Sequence, residues 1–371
     1  MMLHGLEKMT QSTSTRSSIP VIQEQISFLA MPEPELPEGA LKYAPDIDLS
    51  IYDHIVVALS GGKDSIACLL ALIEQGADLS RIELWHHDVD DPSDPHFMDW
   101  VFMRDYVRQF AQTFNLPLYF SWLSGGFKGE MLKENAKSGA HMIETPEGLL
   151  ELGRDRCKVG TRLRFPQQGA DLNSRWCSGA LKVDVGRRAL NNQPRFNHGK
   201  TLFVTGERAQ ESSNRARYFQ FEPHHCDARK GRLGRHVDAY RPVLHWDEEQ
   251  VWECLRRHRV IAPVPYRLGW SRSSCHTCIF NGPRIWATIL RYFPERIEAI
   301  AHYEEMFGCT ISRKKMTVLE IARSAEPFEI TDPDALAQAQ DPVYRLPVLL
   351  PEGSEWAMPA GAFGSEGCGA V

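Results

Sequence analysis

The sequence predicts an α/β protein in which a doubly wound, mainly parallel five-stranded sheet is followed by a helical, cysteine-bearing extension. Short apolar runs, the first of them β-branched, alternate with stretches of helical length, and this alternation is typical of right-handed strand–helix–strand units. A Gly-Gly turn also joins the first apolar strand directly to the first helix. In open sheets of this kind, ligands bind at the carboxyl ends of the strands.

Five apolar runs supply the predicted strands, at residues 55–59, 82–87, 116–120, 202–204 and 240–244. Two helices are predicted from composition and from apolar residues at helical spacing, at residues 66–73 and 97–114. Gly76 provides the stop signal of the first helix. Composition and weak periodicity set the remaining boundaries. We therefore divide the chain into a flexible arm (1–50), the α/β domain (51–246, with an insertion at about 125–175 that holds one short helix around 145–152), a helical region with a close cysteine pair (247–325) and a flexible tail (326–371).

Composition limits the classes of function. The 371 residues carry a formal net charge of −6, which argues against a molecule that binds polyanions over its whole surface but leaves room for a local basic patch. We find no apolar stretch long enough to span a membrane and no export-signal layout, so we expect a cytoplasmic protein. Nine cysteines, with one close pair, favour metal or redox chemistry over disulfides.

The turn after the first strand has the chemistry of an anion site. It consists of Ser60, Gly61, Gly62, Lys63, Asp64 and Ser65. Glycines allow close backbone approach, and the free N–H groups and dipole of a helix N-terminus favour phosphate. The spacing matches neither the Walker loop nor the dinucleotide fingerprint. The turn is therefore predicted to cradle phosphate or pyrophosphate, and the alternative is a Gly-Gly turn with a serine cap and no ligand.

Acidic residues follow the second predicted strand. Asp88 and Asp90 come at its carboxyl end, where open α/β sheets bind ligands. Together with Asp64 they are candidates to hold Mg²⁺ or to order the loop. The alternative is a solvated loop that caps the next helix.

Two groups of basic residues occur later in the α/β domain. Arg208 and Arg215 flank Glu211 at helix-like spacing, so these three side chains share a face. A second group (Arg229, Lys230, Arg232 and Arg235) has no interleaved aromatic residues, which favours a solvated loop over a nucleic-acid surface.

Three cysteines form the candidate metal set. Cys275 and Cys278 lie on one tight turn, and Cys177 opens a helix where the dipole, Arg175 and Lys182 favour a thiolate. Two close cysteines and a distant one suit an iron–sulfur or zinc centre, but four ligands are usual. The fourth ligand is left open between Cys157, Cys226, Cys309, a histidine and no protein group.

Four segments in order resemble the phosphoadenosine phosphosulfate (PAPS) reductase-like proteins of the adenine nucleotide α-hydrolase superfamily. Residues 60–65 resemble their PP-loop, and 176–182 resemble their cysteine-to-lysine signature. Residues 206–215 resemble their Gly-x-Arg-x-x-Glu-Ser element, and 241–278 resemble their C-terminal block with its Cys-x-x-Cys. The likeness covers about residues 52–282.

The resemblance implies a superfamily fold and an enzyme that binds ATP with Mg²⁺ and splits it between the α and β phosphates. The implied catalytic residues are Lys63, Asp64, Arg208 and Arg215. The implied nucleotide-binding residues are Ser60, Gly61, Gly62, Lys63, Asp64, Ser65, Asp88, Lys182, Glu211 and Ser212. Cys177, Cys275 and Cys278 would hold a [4Fe–4S] cluster, with Zn²⁺ as the alternative.

Departures from the family pattern indicate a branch. Sulfonucleotide reductases usually have a degenerate loop, whereas this loop is intact, and they attack sulfur with a cysteine in a Glu-Cys-Gly-Leu-His tail. The nearest candidate here, Cys368, lies in a differently ordered sequence, Glu-Gly-Cys-Gly. The simpler interpretation of Cys368 is a free thiol with no catalytic role. The combination resembles the DndC-type proteins, iron–sulfur ATP pyrophosphatases implicated in sulfur transfer to DNA.

That branch implies an adenine nucleotide as ligand, with a sulfur donor protein and a nucleic-acid acceptor as partners. Two alternatives stay open. One is a true PAPS or adenylyl-sulfate reductase, and the other is a non-catalytic nucleotide- or nucleic-acid-binding module with a structural zinc site.

Overall fold

The structure is a computed structural model that describes residues 38–94, 96–169 and 171–364. Cys368 and most of the predicted N-terminal arm lie outside these ranges. Of that arm, residues 38–50 are described, and Leu41 forms an antiparallel bridge with Phe221.

An eight-stranded mixed sheet forms the centre of the fold, in the order β5-β4-β3-β2-β1-β6-β8-β7. The strands are β1 (His54–Ala58), β2 (Ile82–His87), β3 (Leu118–Leu123), β4 (His141–Thr145), β5 (Gly148–Leu152), β6 (Lys200–Val204), β7 (Phe221–Pro223) and β8 (His236–Tyr240). The five strands β3, β2, β1, β6 and β8 run parallel, while β4, β5 and β7 are antiparallel at the edges. The predicted α/β class and parallel core are confirmed, within a larger sheet.

The helices cover both faces of this sheet. They are α1 (Lys63–Glu74), α2 (Met103–Thr113), α3 (Gly126–Met131), α4 (Trp176–Ser178), which continues through a π-helical turn (Gly179–Val183) into α5 (Asp184–Asn192), α6 (Glu248–Arg257), α7 (Val264–Arg267), α8 (Pro283–Tyr292), α9 (Pro294–Phe307), α10 (Val318–Arg323) and α11 (Pro333–Gln338).

Strand β1 shows why the sheet is covered twice. Ile55 and Val57 face the larger core, which includes α1, α2 and α6, whereas Val56 faces a smaller core with Leu190 of α5. All three strand residues are fully buried. A strand that is buried on both faces has a continuous apolar, β-branched sequence, and β1 has one.

Two element predictions were wrong. The segment 145–152 was predicted as a short helix but belongs to the β4–β5 hairpin, because Pro146 and Gly148 (φ +119°) provide a turn between two short strands. The fifth parallel strand was predicted at 240–244 but ends at Tyr240. A turn follows it, closed by the hydrogen bond from Leu244 N–H to Arg241 O (3.1 Å).

The predicted flexible tail is folded in its described part. It contains α11, and Tyr344 is buried. Leu349 bridges Val260, whose carbonyl also accepts the indole N–H of Trp356 at 2.8 Å. Proline and glycine content suggested a tail, but these apolar side chains have a core to pack against.

No helix of the described ranges is long and apolar enough to cross a membrane.

Replacement of Tyr344 tests whether the tail stabilises the domain. Its ring packs against Tyr106, with the ring centroids 4.8 Å apart, and only 3% of it is exposed. We expect Tyr344→Ala to lower the free energy of unfolding by about 3–5 kcal/mol, since it leaves a cavity. Urea unfolding measures the change. The adjacent Val343→Ala is the control because Val343 is 48% exposed. Equal midpoints for the two variants would contradict a docked tail.

Candidate active site

The predicted phosphate loop joins β1 to α1. Gly61 has φ +78°, and a Cβ there would lie 2.5 Å from Met103 Sδ, so only glycine fits this turn. Gly62 is the N-cap of α1. The Ser60 and Ser65 hydroxyls lie 3.1 Å apart. The loop therefore presents two hydroxyls at a helix N-terminus, as the sequence predicted.

Some loop donors are already used within the protein. The Lys63 N–H donates to the Tyr266 hydroxyl at 3.2 Å, and the Ser60 N–H donates to Ser65 Oγ at 3.2 Å. The Asp64 and Ser65 amides lie in the first turn of α1, where no intrahelical acceptor exists. Of the turn's backbone N–H groups that we expected to face a phosphate, those of Lys63 and of Gly62, which donates to Ser60 Oγ at 3.4 Å, are therefore already used.

The side chains of Lys63 and Arg208 point into the protein. Lys63 Nζ lies 3.1 Å from Asp64 Oδ2 and 3.8 Å from Glu248 Oε1. Arg208 Nε donates to Asp64 Oδ1 at 2.6 Å. Burial opposes ionisation of Asp64, but the two cations hold its pKa below the usual value. Burial likewise disfavours the Lys63 charge, and its neighbours nevertheless raise its pKa.

A cavity of about 760 Å³ opens beside the loop. Of the predicted site residues, the structure places at its wall Ser60, Gly62, Asp64, Ser65, Lys182, Glu211, Arg215 and Cys275. It does not place there Gly61, Lys63, Asp88, Arg208, Ser212, Cys177 and Cys278. The loop, the Arg215 segment and the cysteine turn thus meet at one concave site, although they are far apart in sequence.

Two cavity arginines share one carboxylate. Arg215 forms an ion pair with Glu211, and Arg272 Nη2 lies 3.8 Å from Glu211 Oε1. Glu211 also accepts the Arg208 N–H at 2.9 Å, and Ser212 Oγ accepts the Arg215 N–H at 3.2 Å. Ser212 therefore shapes this segment and does not line the cavity.

The acidic residues after β2 are structural in this arrangement. Asp88 is buried and paired with Arg104, and burial raises its pKa to about 8. Asp90 accepts the amide N–H groups of Met98 (2.8 Å) and Asp99 (2.9 Å), so it orders the following loop. Asp90 thus orders the segment between β2 and α2 and not the phosphate loop, and the predicted Mg²⁺ role of these residues stays a prediction.

Lys182 connects the cavity to the cysteines. It lies on the π-helical turn, a distortion often found at functional sites. Burial opposes its charge, yet Cys275, Asp99 and Cys177 raise its pKa. Among the described residues, no carboxylate oxygen lies within 4.0 Å of its ammonium. Lys182 is therefore a solvent-accessible cation on the cavity wall, available to an anionic ligand.

The three predicted cysteine ligands lie close enough to Lys182 for each of them to raise its pKa. Cys278 also raises the pKa of Cys177. Burial raises the pKa of Cys177 to about 11 and that of Cys275 well above its ordinary value. The expectation of a thiolate at Cys177 is therefore wrong for the metal-free protein, because burial outweighs the helix dipole and Lys182. The three sulfurs do not all lie within 4.8 Å of one another, the spacing that a single ion would need.

The candidate fourth ligands lie in other contacts. Arg154 Nε donates to Cys157 Sγ at 3.1 Å, and Cys226 lies with His224 and His225. Cys309 is half-buried and follows α9. The structure brings none of these sulfurs into the described group around Lys182.

The second basic group is largely paired. Arg229 binds Asp227 (2.8 Å) and Asp238, and Lys230 lies 2.7 Å from Glu38. The preference for a solvated loop over a nucleic-acid surface fits these pairings.

Several site residues were not predicted as such. Tyr266 and Arg272 line the cavity from the C-terminal region, and Asp99, His86 and His87 line it from the sheet side. Burial raises the pKa of Asp99 to about 6 and lowers those of His86 and His87 to about 4 and about 3. The His86-His87 pair at a strand end was the one available signal.

The fold is an open α/β sheet with a cavity beside the turn that follows β1, the place where such sheets bind ligands. Residues 157–281 match the family model of the phosphoadenosine phosphosulfate reductase domain. The chain is 28% identical over 102 residues to the adenosine 5′-phosphosulfate reductase of Allochromatium vinosum, a match that covers 28% of this chain and 34% of that enzyme. These matches support the likeness to the PAPS reductase-like superfamily that the motifs predicted.

A longer match is to an uncharacterized 37.8 kDa protein of Escherichia phage 186, 27% identical over 273 residues, which covers 71% of this chain and 78% of the phage protein. Among solved structures, two complexes of Candida glabrata FMN adenylyltransferase are similar. The complex with FMN and AMPCPP has a TM-score of 0.34 at 16% identity and covers 66% of this chain and 59% of that chain. The complex with FAD and pyrophosphate has a TM-score of 0.35 at 15% identity and covers 87% and 80%.

The buried cavity histidine His86 predicts a dependence of stability on pH. The unfolded chain takes up a proton near pH 6.5, whereas folded His86 stays neutral to about pH 4. The contribution of neutral His86 to the free energy of unfolding is therefore complete above pH 6.5 and is lost as the pH falls toward 4. The loss between pH 6.5 and 5 is about 2 kcal/mol. Urea unfolding at several pH values measures this.

His86→Asn keeps a donor for the Leu59 carbonyl, which His86 Nδ1 contacts at 2.8 Å, and should flatten the pH dependence. His245→Asn is the control, since His245 is exposed. If His86→Asn and the parent protein had the same slope, the neutral buried histidine would not be its source.

Proposed function

We propose that this protein binds MgATP in the cavity and splits it between the α and β phosphates, releasing pyrophosphate. One observation carries the proposal. The intact loop of residues 60–65 opens with its hydroxyls onto a cavity that also contains Lys182, Arg215 and Arg272. A helix N-terminus with adjacent cations is suited to a polyphosphate.

The loop would hold the β and γ phosphates. Ser60 would turn its hydroxyl from Ser65 Oγ, and Ser65 its hydroxyl from the Gly62 carbonyl (2.9 Å), to phosphate oxygens. The first-turn amides of Asp64 and Ser65 would donate to the same group. Asp64 stays in its ion pairs with Lys63 and Arg208, so these two residues position the loop and do not touch the phosphates.

The cavity cations would stabilise the leaving pyrophosphate. A nucleophile forms a bond to the α phosphorus, the bond to the bridging oxygen breaks, and negative charge grows on the leaving group. Arg215 and Arg272 would leave the Glu211 carboxylate and bind the charged oxygens of the leaving pyrophosphate. Lys182 adds a cation without a carboxylate partner among the described residues. Such preorganised charge is a large source of rate acceleration.

We further propose that Cys177, Cys275 and Cys278 hold a [4Fe–4S] cluster, with Zn²⁺ as the alternative. The donor set suits a cluster better than a single ion: three half-buried thiols, spaced more widely than one Zn²⁺ would need, lie near one ammonium that would offset an anionic thiolate centre. When bound, the cluster would supply or activate sulfur for displacement of the adenylyl group. A sulfur donor protein and a nucleic-acid acceptor, in the cytoplasm, complete this proposal.

A PAPS or adenylyl-sulfate reductase is the second candidate. It is favoured by the domain match at 157–281 and by the similarity to the Allochromatium reductase. Release of sulfite from PAPS with thioredoxin, without release of pyrophosphate from ATP, would establish it in place of the first. A non-catalytic module with structural zinc would show neither activity.

Replacement of Gly206 tests the nucleotide site. A Cβ there would lie 2.9 Å from the Asp64 carbonyl carbon and 3.0 Å from Ser65 N, so Gly206→Ala must displace the loop. We expect ATP affinity and pyrophosphate release to fall by roughly 10–100-fold, because small misplacements of this kind are costly. Calorimetry and a pyrophosphate assay measure both.

Gly129→Ala is the matched control. Gly129 lies in α3, and a Cβ at this position would have no neighbouring atom within 4 Å, so the added methyl should leave ATP binding unchanged. Unchanged ATP affinity in a folded Gly206→Ala protein would contradict the proposed site.

Replacement of Cys275 tests the cluster. We expect anaerobically purified protein to contain iron and sulfide, and Cys275→Ala to lose most of both, since a thiolate ligand is removed. Cys309→Ala should retain them. Iron content and visible absorbance provide the measurement, and zinc without iron in the parent protein would contradict the cluster.

A further inference from the structure

A second group of side chains with metal-ligand chemistry lies at the cavity, outside the cysteine turn. His224, His225 and Cys226 directly follow β7, and one ligand atom from each lies within 4.8 Å of the other two. Both imidazoles line the cavity. We propose that these three residues bind a soft divalent cation of the Zn²⁺ class.

The loop that carries this group is held by strand β8. The His224 N–H donates to Val237 O at 2.9 Å, and Arg235 Nε donates to Cys226 O at 3.1 Å. Asp227 Oδ1 accepts the Val237 N–H at 2.9 Å. The three donors are therefore presented by a fixed backbone, which reduces the ordering needed when an ion binds.

The donor set selects the kind of ion. Two imidazole nitrogens and one thiolate suit Zn²⁺ and similar transition ions and do not suit Mg²⁺ or Ca²⁺. Three protein ligands leave one position for water or for a group of the cavity ligand, as in catalytic zinc sites. On binding, Cys226 releases its proton to solvent as the metal–sulfur bond forms. His224 Nδ1 accepts the Cys226 N–H at 3.1 Å, a bond that is given up if Nδ1 is the ligand atom.

Two arginines near the proposed metal ligands are already paired with carboxylates. Arg241 lies 2.8 Å from Glu222 Oε1, and Arg187 Nη2 lies 2.8 Å from Asp184 Oδ1. Burial raises the pKa of Cys226 to about 11, and Arg235, whose Nε donates to the Cys226 carbonyl, opposes that rise. Arg241 and Arg187 therefore add little repulsion toward a dication, whereas Arg235, which has no carboxylate within 4.0 Å among the described residues, opposes it and leaves the thiolate ligand to offset that charge.

Two comparisons within the chain separate this group from others. Glu74, Cys254 and His258 also lie within 4.8 Å of one another, but Glu74 already binds His258 (2.9 Å) and Arg257 (2.8 Å). Cys226 belongs to the smaller core, whereas the cysteines around Lys182 pack against the larger one. The new site is therefore distinct from the proposed cluster.

Co²⁺ titration of the full-length, metal-free protein tests the site, with thiolate-to-cobalt absorbance and bound cobalt as readouts. We expect Cys226→Ser to lose this absorbance for one ion per chain, and His225→Ala to weaken binding of that ion at least about tenfold. His225 is exposed, so its replacement leaves the fold intact.

Cys157→Ser is the control, a half-buried free thiol outside the group that should bind cobalt as the parent does. Cobalt stoichiometry and absorbance that are the same in the parent, Cys226→Ser and His225→Ala proteins would overturn the site. Neither result depends on ATP turnover, so this test fails or succeeds separately from the proposed function.

Discussion

The buried carboxylate of Asp64 fixes the phosphate loop to the rest of the domain. One oxygen pairs with Lys63 and the other with Arg208, which lies in the segment after β6. Removal of one partner from a buried pair leaves an uncompensated charge, at a cost of about 3–5 kcal/mol. Gly206 fits against the same turn because it has no Cβ. The shape of the loop therefore depends on residues far along the chain, and so does every distance in the cavity.

Local patterns were sufficient for the parallel core and insufficient for its edges. The first four parallel strands are short, mostly apolar runs, so their positions along the chain and the loop between β1 and α1 could be read directly. Strand β8 begins at His236 and contains Asp238, which breaks the apolar run. That aspartate is tolerated because Tyr52 donates to it at 2.9 Å and Arg229 pairs with it, partners that no local pattern reveals.

In the candidate site, too, some features are visible in the local sequence and others depend on long-range contacts. Residue types and spacing predicted the loop, Lys182, Arg215 and the three cysteines, and the structure brings these segments together. Which side chains face the cavity is decided by long-range pairing: Asp88 turns to Arg104, and Arg208 turns to Asp64. Burial is equally invisible in a motif, which is why Cys177 was expected as a thiolate and is instead held as a thiol.

Pairing within the cavity also bears on which anion can bind there. Arg215 and Arg272 already share Glu211, so a ligand phosphate must replace that carboxylate. The binding energy it gains is therefore only the difference between the arginine–phosphate and the arginine–carboxylate interactions. A monoanion gains little by such an exchange, whereas a triphosphate brings several charges to the same cations. Lys182 has no carboxylate within 4.0 Å in the described structure, so its attraction is not discounted in this way. Because that ammonium also lies among the cysteines, an anion drawn to it comes next to the sulfur groups that the proposed chemistry requires.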